Sequence, residues 1–193
     1  GYNYATIKIG TQEWMAENLK TSIYANGDPI SKLDLSQWKA SKIGYYGYTE
    51  FYTDNNRFYG KLYNWYAVND QRNLCPTGWH VPTNDDWQKL IQFLGGEDVA
   101  GEKLKSTVKS FGFSEEYANN SSGFSALEAG SFYENYESYI EFPSITVNDA
   151  NFWSATEDSN DKARYLNLIN NAKSVYQDKT FKHDGLSVRC IKD

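Results

Sequence analysis

The stretch HVPTNDDWQKLIQFLGG (80–96) constrains the fold more than any other part of the chain. Thr83 stands three residues before Asp86, a spacing in which each side chain satisfies the other's backbone N–H at a helix start, and Pro82 precedes the pair. Asp85 and Asp86 lie where the helix dipole favours negative charge. Trp87, Leu90, Ile91 and Leu94 fall at i, i+3, i+4 and i+7, one apolar stripe, and Gly95-Gly96 offers left-handed residues to end it. The pattern predicts a helix over 84–94 that must bury one face against other elements.

Those elements are visible on both sides. Residues 4–19 alternate through Ile7, Ile9 and Trp14 around Gly10-Thr11, a strand and turn pattern. From 31 to 60 the text is irregular and Tyr-rich, with a short helix expected at Leu33–Ser41, and it reads as a loop-rich insertion. GKLYNWYAVND (60–70) has no breaker after Gly60 and carries Leu62, Trp65, Tyr66 and Val68, which predicts a short buried helix; another is expected over Val99–Thr107. Beyond it, Gly, Ser, Asn and aromatic residues separate short runs: GFSALEAGSFY, FWSATED, ARYLNLI, KSVYQDK and LSVRCI, all read as strands, with Asn170-Asn171 as a hairpin turn. Strand, helices, then antiparallel strands is an α+β order. No repeat, low-complexity tract or linker divides residues 1–193, which read as a single domain.

Composition narrows the function. Twenty-five acidic and 19 basic residues give a net charge of −6, against a nucleic-acid partner that would need clustered Lys and Arg. No apolar run approaches the ~20 residues of a membrane helix, so the chain is not expected to span a bilayer. Two His, two Cys and one Met supply little material for a transition-metal site. Aromatic residues make up 17% of the chain, enough to fill a β-rich core and leave rings for recognition. The chain opens at Gly1-Tyr2 without Met or an apolar leader, as expected of a mature or truncated chain whose signal peptide or lipid-attachment Cys lies outside it.

Seven blocks in order, IGTQEWMAENLKT, GKLYNWYAV, LCPTGWHVPTNDDWQKLIQFLGG, AGEKLKST, SSGFSALEAG, FWSATED and LSVRCIKD, resemble the Fibrobacter succinogenes major paralogous domain. HVPTNDDW and SVRCIKD are also similar to the RLPTEAEW and GFRC segments of formylglycine-generating, sulfatase-modifying domains, which have a variant C-type-lectin-like fold. The resemblance implies that fold: paired N- and C-terminal strands, two main helices, and a small antiparallel sheet with long loops. It also implies a secreted or outer-surface location in a gut-type bacterium, with room for a lipid anchor upstream. The insertions near 31–58 and 132–150 match none of the blocks; the second falls where lectin-like folds diversify.

On that resemblance, Cys75 and Cys190 are expected to form one structural disulfide between the helix-leading segment and the last strand; buried free thiols are the alternative. The relatives' chemistry needs two cysteines near the chain's end, and here Cys190 is alone there, so the enzymatic carry-over fails. His80, where those relatives have Arg, reads as a structural bridge between backbone groups, and His183 as a turn residue; neither neighbours a nucleophile signature. Trp65, Trp79, Trp87 and Trp153 read as core. Glu157, Asp158 and Asp161 in ATEDSND are weak candidates for calcium, since the EPN, QPD and WND signatures and the EF-hand spacing are missing; a polar turn is the plainer reading, and no other cofactor is implied.

Ring-rich, charge-interleaved segments remain. Tyr133, Tyr136 and Tyr139 in the second insertion are the first candidates for ligand contact, and Tyr45, Tyr46, Tyr48, Phe51 and Tyr52 in the first are next. The expected function is a non-catalytic extracellular or cell-surface binding module with a glycan or a host or matrix protein as ligand. The alternatives are a secreted enzyme acting on polysaccharide or peptide, and a structural component of a surface assembly.

Overall fold

The computed structural model describes residues 2–32, 39, 42–48, 56–108, 113–133, 144–146 and 149–193. β1 (Thr6–Ile9) and β2 (Gln12–Met15) form the first hairpin, with Ile7 opposite Trp14. Its turn needs Gly10, whose φ of +61° an L side chain rarely adopts. β3 (Ser31–Lys32), β4 (Tyr45–Gly47), α1 (Asn56–Tyr59), β5 (Leu62–Tyr63), α2 (Trp65–Val68) and β6 (Trp79–His80) follow. Next come α3 (Asn84–Phe93) and α4 (Glu97–Leu104), and then β7 (Ser131–Tyr133), β8 (Ser144–Thr146), β9 (Asp149–Glu157), β10 (Lys162–Ile169), β11 (Tyr176–Phe181), β12 (Leu186–Ser187) and β13 (Ile191–Lys192). The class is α+β.

The helix at 84 begins as its sequence requires. Thr83 Oγ1 accepts from the Asp86 N–H and Asp86 Oδ2 accepts from the Thr83 N–H at 3.0 Å, the reciprocal capping box. The terminal strands pair too: β13 lies between β2 and β6, with Trp14 opposite Ile191.

Several expectations need correction. The second helix runs over Glu97–Leu104, not 99–107, because Lys105 turns extended and bridges Ala126. The expected helix at 60–70 is a short strand followed by one turn of helix, since Asn64 caps α2 by accepting from the Ala67 N–H at 3.1 Å. The larger sheet is neither small nor purely antiparallel. Its order is β11-β10-β9-β12-β5-β4-β3, with β12–β9 and β3–β4 parallel. It gains β3 and β4 from the first insertion, whose two- and three-residue strands are too short to show a period of two. The helix expected at 33–41 lies almost wholly outside the described residues. Asn170-Asn171 opens a six-residue connection between β10 and β11, and neither residue takes the positive φ of a two-residue hairpin turn.

The larger sheet separates two core clusters. Ala150 and Phe152 of β9, with Leu166 and Leu168 of β10, join Trp14, Trp87, Leu90 and Ile91. On the opposite face Trp153, Ala163 and half-buried Tyr165 join Met15, Leu19, Trp65 and Cys190. Trp65, Trp87 and Trp153 are buried as expected, whereas Trp79 is half-buried. Among the described residues no helix is long and apolar enough to cross a membrane.

Candidate functional site

On the second-cluster face, the core stops short of the β9–β10–β11 end of the sheet. Trp153 and Tyr165 still pack inward, but two residues along on the same faces the strands carry the amides of Asn151 and Asn167 instead of apolar side chains. The register sets them directly opposite each other. Asn167 Nδ2 donates to Asn151 Oδ1 at 2.6 Å, and Asn151 Nδ2 donates to Ser131 Oγ at 3.4 Å, a polar rung across β10, β9 and β7. β7 is held over this edge by bridges from Gly130 to Ala150 and from Phe132 to Gly185. Gly185 is required there, because a Cβ would lie 1.9 Å from the Phe132 ring.

The result is an open depression of about 400 Å³ with the rung in its floor and Tyr133, Tyr165 and Phe181 in its walls. Asp149 and Lys162 also line it. Tyr165 remains a neutral hydroxyl, pushed up to about 12 by burial and then by Asp178, Asp184 and Asp149. Asp184, 1% exposed, accepts from the Thr180 hydroxyl and, at 3.2 Å, from the Phe181 N–H, so it shapes the wall.

Of the residues expected from sequence, Tyr133 lines this depression, half-buried; Tyr136, Tyr139, Phe51 and Tyr52 lie outside the described residues. Tyr45, Tyr46 and Tyr48 are elsewhere. Tyr45 is buried in β4, a correction to its reading as an exposed contact, and the Lys61 ammonium sits 4.0 Å from the Tyr46 ring centroid and 5.8 Å from that of Tyr48. Cys75 and Cys190 are bonded, with their Cα atoms 6.0 Å apart. The acidic trio faces cations and a hydroxyl: Glu157 pairs with Lys182, Asp158 with Arg164 at 3.2 Å and Lys179 at 3.0 Å, and Asp161 accepts from Ser159 at 2.8 Å. Among the described residues, no group of three or more His, Cys, Asp or Glu side chains could hold a metal ion. His80 bridges carboxylates rather than backbone groups, with Nδ1 2.7 Å from Asp193 Oδ1 and Nε2 3.4 Å from Asp86 Oδ2. His183 lies in the turn after β11, stacked on Phe181.

Asn151 and Asn167 were not singled out from sequence. The available signal was an amide standing between apolar residues in each of two strands, Ala150-Asn151-Phe152 and Leu166-Asn167-Leu168.

Behind Asp149 lies a second acid. Glu128 is 4% exposed and its Oε1 has no hydrogen-bond partner. Burial, reinforced by Asp149 and opposed by Lys105, pushes its carboxyl up to about 7. Lys105, itself lowered to about 8 by burial, donates to the Ile169 carbonyl at 2.6 Å and to that of Ala172. Below the ordinary carboxyl pKa, near 4.5, Glu128 is protonated in both the folded and unfolded states. Between there and about 7 only the unfolded chain releases its proton, so stability falls as pH rises. Glu128→Gln is expected to add about 2–3 kcal/mol at pH 8 and almost nothing at pH 4. Urea unfolding at the two pH values checks this, and an equal gain at both would refute the linkage.

The chain matches the Fibrobacter succinogenes major domain over residues 7–192. It belongs to that family. Neither a comparison with curated proteins nor one with solved structures finds a match. Family membership spans both core clusters, the disulfide and every described wall of the depression.

Proposed function

We propose that this Fibrobacter succinogenes major domain is a non-catalytic, C-type-lectin-like module, secreted or displayed on the outer cell surface, that binds glycan in the depression between β7 and β11. The observation that carries the reading is the Asn167–Asn151–Ser131 rung flanked by Tyr165 and Phe181. Sugar recognition needs planar amides and carboxylates, which meet paired hydroxyls, and aromatic faces, which cover the C–H side of the ring. Both are present in one open, shallow site. The terminal strand pairing and the disulfide joining the helix-leading segment to the last strand support the lectin-like architecture. Glu128, the acid displaced toward neutral pH, stands beside Asp149 rather than in the wall, which favours binding over hydrolysis.

The test is a glycan array, with extracellular-matrix proteins as a parallel arm, probed with wild type, Asn167→Ala and Tyr133→Ala. Asn167→Ala gives up the hydrogen bond to buried Asn151, so it should melt somewhat earlier, by about 1 kcal/mol of stability, yet stay folded, while glycan affinity falls by about 1–2 kcal/mol. Unchanged glycan binding in folded Asn167→Ala protein would move the site elsewhere; binding to matrix proteins alone would replace the ligand class.

A further inference from the structure

We infer that the chain carries a second carbohydrate site, separate from the depression, in the pocket between β6 and the 69–73 loop, and that it takes an uncharged pyranose at the Trp79 indole.

This pocket holds about 320 Å³, at the lower end of the range for small-ligand sites, and shares no lining residue with the depression. Ala155 reaches it from β9, four residues beyond Asn151, and fully buried Trp153 closes the core between the two. Its floor is the edge of the second core cluster: Val68, Leu74, Cys75 and Val81 line it, and the Trp79 ring packs against the same cluster. The strand register puts that ring on this face. Trp79 stands opposite Lys192 and His80 opposite Ile191, a member of the first cluster, so the Trp79 and His80 side chains leave β6 in opposite directions. The other described tryptophans are buried. Trp79 is half-buried, and among the described residues no group accepts its indole N–H.

The rim offers amides on a fixed backbone. Asn69, Gln71 and Asn73 line the pocket and are exposed, and among the described residues their side-chain amides make no hydrogen bond. Other atoms hold the loop that carries them. The Asn69 N–H donates to the Trp65 carbonyl at 2.9 Å, the Asn73 N–H to that of Asp70 at 3.0 Å, and the Ala25 N–H to that of Asn73 at 2.8 Å. Arg72 adds donors to Asp70, from Nη2 at 2.7 Å and from Nε at 2.8 Å. A ligand therefore orders little beyond the amide side chains themselves. An amide both donates and accepts, as the adjacent hydroxyls of a pyranose require, and an indole covers the C–H face of the ring.

The charges around the pocket are already matched, which selects an uncharged ligand. Asp70 is held by Arg72, Lys192 pairs with Glu13 at 2.9 Å, and His80 lies between Asp193 and Asp86. An ionic ligand would have to break one of these pairs to find a partner.

The experiment titrates cellotetraose, xylotetraose, mannotetraose and galactotetraose into wild type, Asn73→Gly, Trp79→Leu and Asn167→Ala, with melts of each variant. Binding is read by calorimetry and at the Trp79 indole N–H resonance, assigned by its loss in Trp79→Leu. Asn73→Gly removes one amide and suits the φ of +59° at that position, so it should stay folded. At least one tetraose should shift the Trp79 resonance in wild type and in Asn167→Ala alike. The affinity read there should fall about tenfold in Asn73→Gly and stay the same between about 50 and 500 mM NaCl, since no ion pair is screened. A resonance that no tetraose moves overturns the inference, as does one that moves only while Asn167 is present or that keeps full affinity in folded Asn73→Gly. Affinity that falls steeply with salt overturns the uncharged ligand. If the resonance stays still while Asn167→Ala abolishes the heat of binding, the depression stands and the pocket does not.

Discussion

Replacing Cys75 and Cys190 together by alanine is expected to lower stability by about 4–5 kcal/mol. The bond closes a loop of 115 residues, long enough that cutting it returns a large share of the unfolded chain's freedom. The folded side changes less. Both cysteines are buried in the second core cluster, and the strand end at Cys190 is already fixed by the Met15 N–H donating to its carbonyl at 3.0 Å. Urea unfolding of the double variant, beside wild type with and without reductant, should show the midpoint fall in the variant and in the reduced protein alike. A loss below about 1 kcal/mol would mean that the unfolded chain stays compact without the bond.

Arg189→Ala is expected to cost about 3–5 kcal/mol. The guanidinium is fully buried, and among the described residues it has no carboxylate partner. It donates instead to the Phe124 carbonyl, to Asn18 Oδ1 at 2.7 Å and to the Ser125 carbonyl at 3.3 Å, and lies 4.2 Å from the Phe124 ring centroid and 5.3 Å from that of Phe152. Burial lowers its pKa to about 9, the mark of a charge that costs free energy to enclose. In exchange it ties the last part of the chain to the 124–125 segment, where Ser125 takes a φ of +57°. Truncation strands two buried acceptors and a part-buried one, and opens a cavity beside two aromatic rings. Arg189→Met refills the volume but still strands the acceptors, and should cost about 2–3 kcal/mol. Thermal and urea melts decide it, and a Met variant as stable as wild type would show that the guanidinium holds nothing the apolar core cannot.

Both predictions concern residues whose importance was unevenly visible beforehand. Cys75 and Cys190 stood out because the chain has no other cysteines and because the blocks around them resemble a disulfide-bearing scaffold. Arg189 sits in VRC like any charged residue near a chain end, and nothing local says that its side chain turns inward. Burial of a charge depends on acceptors arriving from elsewhere, here carbonyls some 65 residues earlier in the chain. The Tyr-rich first insertion misled for a related reason. Rings interleaved with polar residues read as exposed, yet Tyr45 is buried because β4 pairs with β5 inside the larger sheet.

What the sequence determined by itself is local. Thr83, Asp86 and the Trp87–Leu94 stripe specify α3, and the short runs FWSATED, ARYLNLI and KSVYQDK mark the strands that become β9, β10 and β11, because caps and breakers act within a few residues. The candidate site was decided only by tertiary structure. Ser131, Asn151 and Asn167 meet because β9 and β10 pair in one register, with a shift between Ala163 and Tyr165, and because β7 crosses that edge at Gly185. A slip of one residue would turn both amides toward Trp87 and Phe124, burying them in the apolar cluster, so the depression exists by virtue of strand pairing that no short stretch of sequence encodes.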